Sequence, residues 1–193
     1  MMQKRRLFLA SKSPRRKQIL EEAKIPFTCI PNLLDHEPER PSDRSAADWV
    51  QHLATLKVKA SSQDFEGLIC GSDTMVVLND VDYGKPKDKA EAAEFLSKLV
   101  GKTHQVLTAI ALLDTIEDQL MVAMDTVDVT MNPLTSAEIA TYIDSYDVLD
   151  KAGAYGIQFQ DSGLIERYIG SYDTVMGFPF ERLCELLENY DIL

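Results

Sequence analysis

Cysteine is scarce in this sequence: Cys29, Cys70 and Cys184 are odd in number, far apart and form no CxxC. That pattern excludes a disulfide framework and a structural zinc site, and it points to a reducing compartment. Histidine is equally thin. His36, His52 and His104 are scattered without HxxxH or HExxH spacing, which gives no support to a zinc hydrolase. No GxSxG occurs, and the absence of GxxxxGK(S/T) excludes a P-loop nucleotide site. Long apolar runs are missing too. The basic start MMQKRRLFLASKSPRR holds only Leu7 to Ala10 as an apolar run, too short for a signal sequence or a membrane span, so the expected location is cytoplasmic. Repeats and low-complexity segments are absent.

What is present is an ordinary globular composition, 45% hydrophobic and 26% charged over 193 residues, enough for one domain with a substantial core. The net charge of -11 gives a field that repels nucleic acid and anionic membrane, so neither is an expected partner. The distribution is uneven. Residues 1 to 20 carry Lys4, Arg5, Arg6, Lys12, Arg15, Arg16 and Lys17 and no acid, a basic patch on an acidic body.

Within that patch, LASKSPRRKQIL reads as a strand running into a helix, with Ser13 as N-cap and Pro14 as the first helical residue. Three cations then stand at the positive end of the helix dipole, each costing about 0.3–1 kcal/mol if exposed. Either solvent screens them or an anion is bound among them, through backbone N–H groups and the Arg15 fork. Arg16 and Lys17 are expected to be solvated.

Further along, an amphipathic helix is predicted from Ala46 to Ser61 with Trp49, Val50, Leu53, Leu56 and Ala60 inward, which would leave Lys57 on the surface. GLICGSDTMVVL reads as strand interrupted by polar residues, and NDVDYGKPKD as a turn holding Lys85 between Gly84 and Pro86. Asp88 with Glu91, and Thr135 with Glu138, mark two helix starts, while HQVLTAIALLD and QLMVAMDTVDVTM form a hairpin. Pro179 is placed as the opening residue of the last helix. Strands and helices are mixed without strict alternation, which predicts one α/β domain over residues 1–193, with a mixed, partly antiparallel sheet flanked by helices.

Asp73 breaks an apolar run. It serves either as a strand-end or turn cap, or as a functional carboxylate at the mouth of a sheet. Gln158, in KAGAYGIQ, either satisfies the backbone or offers donor and acceptor together, matching the N3–H and carbonyl edge of uracil or thymine. Cys70 is assigned to packing.

In order along nearly the whole chain, LASKSPRRKQIL, LATLKVKA, GSDTMVVL, YGKPKDKAEAAEFLSKLVGKTHQVLTAIAL, DKAGAYGIQ and IERYIGSYDTVMGFP resemble the Maf family of nucleoside triphosphate pyrophosphatases. The resemblance implies a Maf/ITPase-like fold with an active-site cleft between two lobes, and hydrolysis of a nucleoside triphosphate to monophosphate and pyrophosphate. It implies a divalent cation, Mg²⁺ or Mn²⁺, with Asp73 as general base and as metal ligand beside Glu37, the position of Asp35 being the other candidate. Ser11, Lys57 and Lys85 match positions around the phosphates, and Arg15, Thr74 and Gln158 match positions tied to base preference. The glutamine at 158 resembles the branch acting on dTTP and UTP, together with modified pyrimidine triphosphates that share the same edge. An acid there would resemble the 7-methyl-GTP branch. The family also implies a homodimer and a link to septum formation, so the rival expectation is a regulatory protein whose basic corner binds a partner.

Overall fold

A computed structural model describes residues 3–192. In chain order its elements are β1 (Gln3–Arg5), β2 (Leu7–Ala10), α1 (Pro14–Glu22), β3 (Thr28–Ile30), α2 (Ala46–Ala60), β4 (Leu68–Leu78), β5 (Val81–Tyr83), α3 (Lys89–Leu99), β6 (Thr103–Asp114), β7 (Gln119–Met131), α4 (Ser136–Ser145), β8 (Ile165–Ile169), α5 (Tyr172–Val175), α6 (Phe180–Leu187) and β9 (Tyr190–Ile192). The main sheet runs β3-β2-β4-β6-β7-β8 with β5 beside β4, and β1 pairs with β9 in a small parallel ribbon. This is the mixed α/β sheet the sequence predicts. β2 lies parallel to β3 and β4, whereas β4–β5 and β7–β8 are antiparallel. Side-chain contacts of Thr103 with Thr130 (2.8 Å) and Gln105 with Asp128 (3.4 Å) set an antiparallel register for the β6–β7 hairpin. No helix of the described residues is long and apolar enough to cross a membrane.

The chain forms two compact units, one of Met1–Asp73, Thr108–Asp125 and Gly177–Leu193, the other of Thr74–Leu107 and Thr126–Met176. In the first, β2 is fully buried and α2 packs Trp49, Val50, Leu53, Ala54 and Val58 inward. Its β1 end is tied by Arg5, whose Nε donates to the wholly buried Asp114 carboxylate at 2.9 Å. In the second, α3 and α4 cover a core that includes Leu96, Leu99, Val129, Ile139 and Tyr142. Both helix starts are capped as predicted. The Asp88 carboxylate accepts from Glu91 N at 2.8 Å, and Thr135 with Glu138 completes a reciprocal capping box.

Four local expectations need correction. β4 is one uninterrupted strand of 11 residues, so Asp73 is no strand end. The turn before Lys85 contains β5, because Asn79 and Asp80 both take positive φ and close a two-residue hairpin loop. The buried face of α2 follows 49, 50, 53, 54, 57 and 58, leaving Leu56 and Ala60 half-buried and carrying Lys57 inward. Pro179 is the N-cap of α6, whose first helical residue is Phe180.

Candidate functional site

In the first unit, β2 ends at Ala10 and the chain turns through Ser11 to Ser13 into α1. The Ser13 side chain makes no capping bond. Instead its backbone N–H donates to Ser11 Oγ at 3.1 Å, so Ser11 closes the corner. The cations behind it divide. Lys17 extends to Glu21 on the helix surface at 3.4 Å, a pair at the usual i,i+4 spacing. Arg16 turns inward, donating from Nε to Gly177 O at 2.7 Å and reaching Ser11 Oγ at 3.5 Å. The expectation of a solvated Arg16 is therefore corrected. Arg15 is half-buried.

Gly177 O accepts a second bond, from Ser72 Oγ at 3.0 Å, so one carbonyl joins α1, β4 and the approach to α6. Ser72 precedes Asp73. Leu9 pairs with Cys70 in the β2–β4 register, which sets Asp73 just past the carboxyl end of β2, where open α/β sheets hold their ligands.

Asp73 is 6% exposed and accepts a short, direct hydrogen bond from Lys57 Nζ. Lys57 is itself 5% exposed and also meets Glu37 Oε1 at 2.8 Å. One ammonium thus joins a buried carboxylate to an exposed one. A buried lysine is tolerated only with such partners. Gly71 makes the approach possible: a Cβ there would lie 2.7 Å from Val58 Cγ1, so any side chain would hold α2 off β4. Burial pushes the Asp73 carboxyl above the ordinary aspartate value, opposed by Lys57 and reinforced by Glu37. Burial also lowers the Arg16 guanidinium, against the pull of Asp73. Lys57 thus favours the ionised Asp73 carboxylate, while burial makes it more basic than an ordinary aspartate. Cys70 is a buried thiol pushed up to about 12 by burial, in keeping with packing.

The second unit holds Thr74, Lys85 and Gln158. Thr74 is half-buried and Lys85 exposed. Gly84, beside Lys85, accepts at its carbonyl from Gly153 N at 3.0 Å, which ties the Lys85 turn to the loop carrying Gln158. In that loop the buried Tyr155 hydroxyl meets His104 Nε2 at 2.8 Å. Gln158 is half-buried, and among the described residues no hydrogen bond holds its carboxamide, which rests against Gly156.

Asp73 and Glu37 meet at Lys57, and no cluster of three or more His, Cys, Asp or Glu side chains suited to a metal occurs among the described residues. The carboxylate oxygens of Asp73 and Glu37 are the donor type a hard cation such as Mg²⁺ prefers, and these two residues would hold one. Of the two acids weighed in the loop, it is Glu37 that reaches this point. The residues that sequence reasoning missed are Arg16, Ser72 and Gly71, whose roles depend on Gly177 and Val58, neither of which is local in sequence.

The Maf-like protein family model matches residues 6–190. The chain belongs to the Maf family. Among its relatives are the dTTP/UTP pyrophosphatases of Escherichia coli K12, 40% identical over 97% of this chain and 94% of the relative, and of Escherichia coli O157:H7, 42% identical over the same shares. The dTTP/UTP pyrophosphatase of Pectobacterium atrosepticum is 40% identical, again over 97% and 94%. Within this Maf chain, the first unit holds a buried carboxylate beside a buried ammonium, and the second an amide with no hydrogen bond among the described residues.

Proposed function

We propose that this Maf protein is a nucleoside triphosphate pyrophosphatase acting on dTTP and UTP, releasing pyrophosphate and leaving the monophosphate. The observation that carries the reading is the buried Asp73–Lys57 pair on β4 and α2, in a chain about 40% identical to dTTP/UTP pyrophosphatases. Asp73 orients a water molecule and takes its proton as the oxygen attacks the α-phosphorus. The bond from that phosphorus to the bridging oxygen breaks, and pyrophosphate leaves with the electron pair. General base assistance of this kind contributes roughly 10²–10⁴-fold. Lys57, Arg15 and Lys85 offset the negative charge on the transferred and departing groups, and Ser11 and Thr74 orient them. Arg16 joins the first group as the inward member of the basic corner.

The donor set of Asp73 and Glu37 suits Mg²⁺ or Mn²⁺, which supplies charge neutralisation and polarisation of a phosphoryl oxygen when bound. Base preference rests on the Gln158 amide, whose free donor and acceptor match the uracil or thymine edge.

The test is pyrophosphate release from a panel of nucleoside triphosphates with Mg²⁺ or Mn²⁺, comparing the parent protein with Gln158→Glu. The expected result is release from dTTP and UTP above the purine triphosphates, with that ratio lowered in Gln158→Glu. Release of orthophosphate alone, or equal use of every nucleotide, would overturn the reading and favour a regulatory role for the basic corner.

A further inference from the structure

We propose that Gly156 and the Tyr142 hydroxyl are positioning residues that aim the Gln158 carboxamide, and so set base selectivity without touching the reacting atoms. The inference rests on the base-reading role of Gln158 proposed above.

Gly156 is buried, and its N–H donates to Tyr142 Oη on α4 at 3.2 Å. A Cβ built on Gly156 would stand 2.6 Å from Gln158 Oε1 and 2.9 Å from the Phe159 ring. The space a side chain would occupy is therefore filled by the amide itself. Residues on both sides of Gln158 are anchored. Phe159 stacks on Tyr146 with ring centroids 4.4 Å apart, Tyr146 lies 5.0 Å from Tyr142, and the Lys151 ammonium sits 5.4 Å from the Phe159 centroid. Gln158, by contrast, has no hydrogen bond among the described residues. A half-buried amide with both donor and acceptor free, lodged between a pinned glycine and a stacked aromatic ring, is arranged for a ligand that completes its bonds. Burial pushes the Tyr142 phenol up to about 12, so it remains a neutral hydroxyl that can accept from Gly156 at any assay pH below that.

Two variants separate aim from chemistry. Tyr142→Phe keeps the ring but strips the acceptor from a buried N–H, and is expected to raise KM for dTTP about tenfold with kcat nearly unchanged. Gly156→Ala drives the amide from its seat, and the ratio of kcat/KM for dTTP over GTP is expected to fall about tenfold. In a Gln158→Ala background, Gly156→Ala should produce no further fall, because the group it displaces is gone. Should Gly156→Ala fail to fold, Tyr142→Phe carries the test through its split between KM and kcat. Unchanged selectivity in Gly156→Ala, an undiminished effect in the Gln158→Ala background, or a Tyr142→Phe loss confined to kcat would each overturn the inference. If Gln158→Glu itself leaves selectivity intact, the base-reading role fails first. Loss in Gln158→Glu with retention in Gly156→Ala overturns the positioning alone.

Discussion

Replacing Lys57 by Met should destabilise the protein in a pH-dependent way. Lys57 Nζ is the partner that opposes the desolvation of Asp73, and both groups are more than nine-tenths buried. Breaking one side of a buried ion pair costs about 3–5 kcal/mol because the remaining charge is left without compensation. Here protonation limits the loss. Burial already holds the Asp73 carboxyl above its ordinary value, and removing Lys57 raises it further, so the variant takes up a proton rather than carry a bare buried carboxylate. A carboxyl whose folded value is raised loses stability as pH climbs from the unfolded value to the folded one, by up to about 1.4 kcal/mol per pH unit. For the variant that fall continues to higher pH than for the parent. The difference between the two is therefore small in acid, where Asp73 is protonated in both proteins, and grows as pH rises above the ordinary aspartate value. Glu37 adds little, since its side chain is half exposed and solvent screens its pairing. Urea unfolding at a series of pH values measures this, with the sole tryptophan, Trp49, reporting from the same helix. A loss below about 1 kcal/mol throughout, or one that does not grow with pH, would refute the coupling.

Gly71→Ala should cost about 1–3 kcal/mol by overpacking against Val58, and should lower pyrophosphate release by shifting Lys57 from Asp73; unchanged activity in the folded variant would contradict that. His104 makes a separate acid-stability prediction. Burial lowers its imidazole to about 4, so its neutral form contributes stability that is complete above the unfolded value of 6.5 and is lost as pH falls through about 4. That interval corresponds to about 3 kcal/mol, and His104→Phe should flatten the stability profile between those pH values; an unchanged slope would assign the acid sensitivity elsewhere.

The local chemistry of this chain was readable in its sequence where the partners lie within one helical turn. Asp88 caps α3 through Glu91 N, and Thr135 with Glu138 forms the capping box of α4, because both devices need only residues three apart. Ser13 and Pro14 stand at the N-cap and first helical position of α1 as expected, although the Ser13 hydroxyl makes no capping bond. The face of α2 was misjudged because lysine counts against burial, yet Lys57 faces inward to meet Asp73 and Glu37. The β1–β9 ribbon pairs Gln3 with Tyr190, a contact with no local trace. Arg16 was read as solvated for the same reason: the carbonyl it binds belongs to Gly177, far along the chain. Asp73, Arg15 and Gln158 were visible as residue types out of place, a carboxylate in an apolar strand, a cation at a helix start and an amide among small residues, whereas Ser11, Glu37, Lys57, Thr74 and Lys85 entered through the family resemblance.

The most direct measurement is pyrophosphate release from dTTP by Asp73→Asn, beside the parent protein and with folding checked by thermal unfolding. The amide keeps the shape of the side chain, and its oxygen can still accept from Lys57 Nζ, so the variant is expected to fold. Release should fall by roughly 10²–10⁴-fold, the contribution of a general base, while dTTP still binds. A folded Asp73→Asn protein that releases pyrophosphate at the parent rate would contradict the account.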